Sequence, residues 1–161
     1  MEHSFPDFKA EIRALKMIHL AMTAGQVLFA VIAFILIITN SLDKSANNLY
    51  ILFRYVVPVC ILGGLIGSHF VFRTRLEVIR TDTELAEKLN EYRITLIIRY
   101  AMLEGGSIVA LVAYLVVGHM VYLGAAILVI LYFLTLIPNT ERVTNDLGLN
   151  ADEKHRLTGI E

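Results

Sequence analysis

Four apolar segments set the terms on which this chain can fold. Met17–Ile38 runs without a formal charge. Tyr55–Phe72 lies between Arg54 and Arg73, and Met120–Ile137 runs uncharged up to Pro138. Between them, Ile94–Val117 carries only Arg99 and Glu104 as charged residues. A helix needs roughly 17–25 apolar residues to cross hydrocarbon, and each segment has that length. In lipid, a spanning helix also satisfies its backbone N–H and C=O groups internally, which an open sheet cannot do. The pattern predicts an all-α polytopic membrane protein with four transmembrane helices, at about 17–38, 55–72, 94–117 and 120–137, in one membrane domain. A soluble bundle is the weaker reading, because the segments lack the polar stripe of an amphipathic surface helix. The apolar fraction of 57% points the same way, against about 45–50% in soluble domains.

Orientation follows from Lys and Arg, which accumulate on the cytoplasmic side. Lys9, Arg13, Lys16, Arg73, Arg75, Arg80, Lys88, Arg93, Arg142, Lys154 and Arg156 fall on one side, against Lys44 and Arg54 on the other. Both termini and the 73–93 connection are therefore expected in the cytoplasm, with a tight turn at Gly118–His119 outside. The N-terminal stretch mixes acids with bases and shows no small-residue cleavage site, so the first segment reads as a retained span rather than a signal peptide. A formal net charge of −1 gives no electrostatic case for nucleic acid. Cys60 is the single cysteine, which rules out an internal disulfide.

The cytoplasmic parts are expected to be helical as well. Thr81-Asp-Thr-Glu84 has the form of a capping box, so a helix is predicted from about Asp82 through Val117. The second segment is expected to continue to about Ile79. The two then protrude as a helical hairpin over 73–93, with Leu76, Ile79, Leu85 and Leu89 in contact. Pro138 is expected to end or bend the fourth helix. In the tail, 138–161, Asn150–Glu153 resembles the cap of a short polar helix.

Met22–Ile37 overlays Met102–Val117, half a chain further on, position for position. Met22/Met102, Gly25/Gly105, Ala30/Ala110 and Ala33/Ala113 are identical. The chain therefore reads as two similar helical hairpins, with segments one and three parallel. Small residues let helices approach closely in lipid. Met22, Gln26, Ala30 and Ala33 share a face, as do Met102, Gly106, Ala110 and Ala113, so segments one and three are expected to pack through these faces. Gly64 and Gly67, with Cys60, form a further small stripe on segment two.

Arg99 and Glu104 are five positions apart, separated by about 140° around a helix, too far round for a same-helix pair. Tyr100, Glu104 and Ser107 form a polar row nearly opposite Gly106. A charge this deep must be offset: Glu104 keeps its proton, pairs with a cation from another helix, or faces water. His19, Gln26, His69, Arg99, Tyr100, Glu104 and Ser107 are predicted to gather as an intramembrane polar cluster. No metal-ligand spacing, nucleotide loop or nucleophile elbow occurs, so the sequence calls for no metal, no cofactor and no enzymatic activity.

The stretch LEGGSIVALVAYLVVG, followed by PNTERVTNDLGL and a short charged tail, resembles small four-helix bacterial membrane proteins without assigned activity. That likeness covers the chain from about Tyr92 to Glu161 and implies a multi-pass protein of the bacterial inner membrane. A fainter likeness is to the proteolipid c subunits of rotary ATPases, which are helical hairpins with a deep carboxylate. Glu104 fits that outline, but it lies on the first helix of its hairpin rather than the second. The expectation is a non-enzymatic, homo-oligomeric interaction or scaffold protein in the lipid bilayer. The alternative is a small proton or ion transport unit using Glu104. A cytoplasmic protein partner at 73–93 is a third possibility.

Overall fold

The computed structural model describes residues 8–39, 47–80, 85–149 and 153. Among these the chain is all α, with five helices: α1 (Phe8–Ile38), α2 (Asn47–Ile79), α3 (Leu85–Val117), α4 (Met120–Leu134) and α5 (Thr140–Leu147). Three of them, α1, α2 and α3, are long and apolar enough to cross a membrane. They have 31, 33 and 33 residues, or about 46–50 Å at the rise of an α-helix. That exceeds the ~30 Å hydrocarbon core, so a crossing would use only part of each. The continuation of the second segment to Ile79 and the end of the third at Val117 are as expected. The capping box at 81–84 and the tail cap at 150–152 lie outside the described residues.

The fourth segment is shorter than expected. Its helix ends at Leu134, after 15 residues, or about 22 Å. Pro138 disfavours helical backbone at the residue before it, and the Thr135 hydroxyl donates to the Tyr132 carbonyl at 2.6 Å, closing the last turn.

α3 is the hub. It packs along α2, α4 and α1, whereas α1 and α2 scarcely meet. The two halves therefore differ: α3 and α4 pack along each other, and α1 and α2 do not. The directions follow from the contacts. Tyr114 donates to Met120 Sδ near the α3–α4 turn, while Tyr100 donates to the Leu136 carbonyl far from it. These two helices are thus antiparallel. Gly118 and His119 alone link them, with Gly118 at φ 73° and the His119 side chain accepting from Val121 N–H. Only glycine takes that left-handed conformation without strain. α1 runs parallel to α3: His19 meets Tyr100 and Gln26 meets Ser107.

Helix contact through small residues is present, but with a different partner from the one expected. Gly106 of α3 lies against Ile61 Cα and the Cys60 carbonyl of α2, and Gly64 lies against the Met102 carbonyl of α3. The small face of α3 thus meets the Gly64/Gly67 stripe of α2. α1 reaches the polar row of α3 instead, although Gln26 and Ala33 on its own small face are buried. Ala110 and Ala113 are fully buried.

The outside of the bundle is apolar. Leu28, Ile51, Val59, Ile66, Phe70 and Leu128 are 61–70% exposed. A water-soluble monomer rarely leaves contiguous apolar surface on this scale.

Candidate functional site

The polar row of α3 and the helix that faces it form the candidate site. On α1, residues three, four or seven positions apart turn inward: Ile12, Leu15, His19, Thr23, Gln26, Ala33 and Ile37 are buried. That spacing is one face of a helix, and it brings His19 and Gln26 onto α3. His19 is fully buried. Its ring stacks on Phe133 of α4 at a centroid distance of 4.4 Å and meets Tyr100 edge-on at 4.9 Å. Neither ring nitrogen has a hydrogen-bond partner among the described residues.

Two turns along, Ser107 Oγ lies 2.7 Å from Gln26 Oε1 and 2.9 Å from the Glu104 carbonyl oxygen. A hydroxyl has one proton and cannot donate to both. Both contacts are satisfied when the Gln26 amide is turned so that Nε2 donates to Ser107 Oγ and the hydroxyl donates to the Glu104 carbonyl. In either orientation one end of the buried amide stays without a partner among the described residues, as does Thr95 Oγ1. The α1–α3 interface thus holds a column of polar groups, some of them unpartnered, with His19, Tyr100, Gln26 and Ser107 in sequence along it.

The remaining predicted members lie around this column or away from it. Arg99 is half-buried and points the other way, with its guanidinium carbon 4.4 Å from the ring centroid of Phe72 on α2. Such a contact over an aromatic face attracts a cation. Glu104 is half-buried, and its carboxylate makes no ion pair or hydrogen bond among the described residues. Arg99 and Glu104 stay unpaired with each other, as their spacing required. His69 is exposed and lines a groove with Tyr132 of α4. The structure therefore separates it from His19, and no group of three metal-ligating side chains forms among the described residues.

Sequence reasoning missed the seal at the basic end. Asn139 caps α5 by accepting from Arg142 N–H at 2.7 Å, and Gly148 ends it at φ 62°. Val143, Leu147 and Leu149 join a core with Ile79, Leu89 and Tyr92. Tyr92 donates to Asp146 Oδ2 at 2.7 Å, Arg80 Nε donates to the Asp146 carbonyl at 2.8 Å, and Lys88 pairs with Glu153 at 3.0 Å. Tyr92 precedes the apolar part of α3. Burial first, then the charge of Asp146 and the bond to it, hold its hydroxyl far above the ordinary phenol range. The 73–93 region is thus partly covered by the chain's own tail rather than free. Leu76, Ile79 and Leu89 are buried there, as expected.

Between α1 and α2, one strip of α3 is left uncovered among the described residues: Ile94, Ala101, Gly105, Ile108 and Val112 are all exposed. They recur at i, i+7, i+11, i+14 and i+18, a single line along a helix. A Cβ added at Gly105 would touch nothing within 4 Å. Glu104 flanks this strip on the α1 side.

Comparison with known proteins gives no match, whether to a family model, a curated sequence or a solved structure. The likenesses carried by the C-terminal stretch and by Glu104 therefore assign no family, and the functional reading rests on geometry.

Proposed function

We propose that this chain is a four-span membrane protein that works as a non-enzymatic interaction protein and assembles with further copies of itself. The observation that carries the proposal is the uncovered strip on α3. The hub helix packs on three sides and leaves the fourth open, with Gly105 and Ala101 allowing another helix backbone to come close. Helix association in lipid depends on such close approach. The basic ends of α1, α2, α3 and α4 lie together, which supports a cytoplasmic location for both termini. α4 completes the fourth crossing with the turn that follows it, and the bacterial inner membrane is the location proposed.

The test is assembly within the membrane. Ala101→Cys in a Cys60→Ala background should give disulfide-linked dimers on mild oxidation. Gly105→Leu should abolish them while the helical circular dichroism stays unchanged. A wild-type protein that is monomeric in several detergents, with no cross-link at 101, would sink the proposal.

The unpartnered atoms on His19 and Gln26 favour a second reading. Buried polar groups without protein partners are the groups that bind a proton or water inside a membrane protein. Glu104→Gln separates the two readings. Loss of proton flux in liposomes with assembly intact favours transport, and loss of assembly without a flux phenotype favours the scaffold.

A further inference from the structure

We propose that the groove between α2 and α4 binds phosphatidylethanolamine. The inference rests on the reading of the chain as membrane-spanning. The groove has a volume of about 690 Å³, within the ~300–1,000 Å³ of small-molecule sites. Its lining changes character along α2. Leu65, Ile66 and Phe70 form the deep, apolar part, where an acyl chain would lie. His69 and Arg73 follow, then Glu77, with Tyr132 contributed by α4.

The order matches the layers of a lipid. Arg73 is the first charged residue after the apolar Tyr55–Phe72 run, so it stands at the phosphate level. Its guanidinium offers the planar donor pair that suits a phosphate. The Tyr132 hydroxyl and the His69 imidazole add polar groups beside and just below it, and tyrosine is common at this depth. Glu77 lies one turn further out on the same face, about 6 Å along the axis. It is placed to accept from an ammonium that a two-carbon link carries beyond the phosphate.

Arg73 and Glu77 are both exposed, and neither makes an ion pair or hydrogen bond among the described residues. A cation followed by an anion, each free, is complementary to a zwitterion whose phosphate lies inside its amine. Phosphatidylglycerol has the phosphate but offers Glu77 only neutral hydroxyls, with no cation to pair with it. Phosphatidylcholine has the charge but no N–H to donate.

The experiment uses full-length protein extracted in detergent, delipidated, and given the three lipids with identical acyl chains, with binding read by native mass spectrometry. Wild type should retain phosphatidylethanolamine about two- to fivefold over the other two, the range set by a solvent-flanked charge pair. Glu77→Gln should erase that preference without lowering phosphatidylglycerol, and Arg73→Gln should lower all three together. Equal retention of the three lipids by wild type overturns the proposal, as does a preference that survives both substitutions. Both side chains are exposed, so the variants should keep wild-type helicity and elution. Failure of the membrane reading itself would appear earlier, as a polypeptide that leaves washed membranes in buffer without detergent.

Discussion

Gly64→Ala tests the packing that organises the bundle. A Cβ at Gly64 would stand 2.7 Å from the Met102 carbonyl oxygen, and ordinary contact begins at 3.4 Å. The obstruction is backbone, and the Met102 carbonyl carbon and Leu103 Cα lie just behind it. No rotamer change relieves it, so α2 and α3 must part by about 0.7 Å along their main contact. Overpacking of this kind costs about 1–3 kcal/mol. Alanine recovers about 0.5–1 kcal/mol of helix propensity. At mid-range the two leave a net loss of about 1.25 kcal/mol, or roughly eightfold in the folding equilibrium. Gly67→Ala is the control. Its Cβ would also meet an atom at 2.7 Å, but that atom is the terminal methyl of Met102. A flexible thioether moves cheaply, so the gain in propensity should cancel the cost. Unfolding by SDS in mixed micelles, followed by circular dichroism, measures both. Equal destabilisation by the two substitutions, or none at Gly64, would refute the claim that backbone contact sets the α2–α3 distance.

Three further outcomes follow from the interior and from the basic end. Ser107→Ala should destabilise by about 0.6–2 kcal/mol, the scale of interhelical hydrogen bonds in membranes, and adding Gln26→Leu should recover most of the loss in the same unfolding assay. His19→Leu forfeits ring stacking worth about 0.5–1.5 kcal/mol but removes two unpartnered nitrogens that cost about 1–3 kcal/mol each, so stability should hold or rise; a clear loss would mean that a ring nitrogen binds a proton or water in place and would favour the transport reading. Tyr92→Phe should release α5, seen as faster hydrogen exchange over 140–149 with α1–α4 protection unchanged. The pH dependence has a defined sign. The Tyr92 phenol titrates higher in the folded state than in the unfolded one. Its contribution is whole below the unfolded value of ~10 and is lost as pH rises beyond it. Tyr92→Phe should flatten the loss of α5 protection above that pH.

What the sequence revealed, and what it hid, divides along a physical line. Length and apolarity are properties of one helix, so α1, α2 and α3 could be read directly, including the run of α2 to Ile79. The close approach of small residues was also legible, because Gly64, Gly67 and Gly106 have few other uses in apolar helices. Rotation of one helix against another is a property of a pair. Gly64 faces α3, so His69, five positions on, is turned about 140° away from it. That rotation takes His69 out of the predicted cluster and into the exposed groove it shares with Tyr132. The equal spacing of Arg99 and Glu104 acted the same way and sent one to Phe72 on α2 and the other toward the α1 side. α5 was missed for another reason. Its signals were present: Asn139 after Pro138, Val143 and Leu147 at i,i+4, and Gly148. A helix this short is marginal alone, and packing against Ile79, Leu89 and Tyr92 gives it a surface to hold.

The hub position of α3 gives its polar residues protein to meet at their own depth. α1 and α3 run parallel, and Gln26 meets Ser107 while His19 meets Tyr100. Each partner stands one position past the residue that the overlay of the two segments would pair with it. Equivalent residues therefore sit at nearly the same depth. A polar side chain on α3 that turns toward α1 meets protein at its own level, and Ser107 finds Gln26 there. The same side chain on α1 would more often meet lipid, because α1 is covered on one face only. Polar side chains are thus tolerated where a neighbouring helix covers them, on the packed sides of α3 and on the one inward face of α1 that holds His19, Thr23 and Gln26. Glu104 is the limiting case. It stands where cover by α1 gives way to the open strip around Gly105, so the groups that decide its charge belong partly to whatever lies on that strip. A helix from another copy would enclose the carboxylate and demand a partner for it or its proton, whereas lipid alone would leave it to reach toward the headgroups. The state of Glu104 and the occupant of the strip are therefore one question, and Glu104→Gln should matter only in the assembled protein.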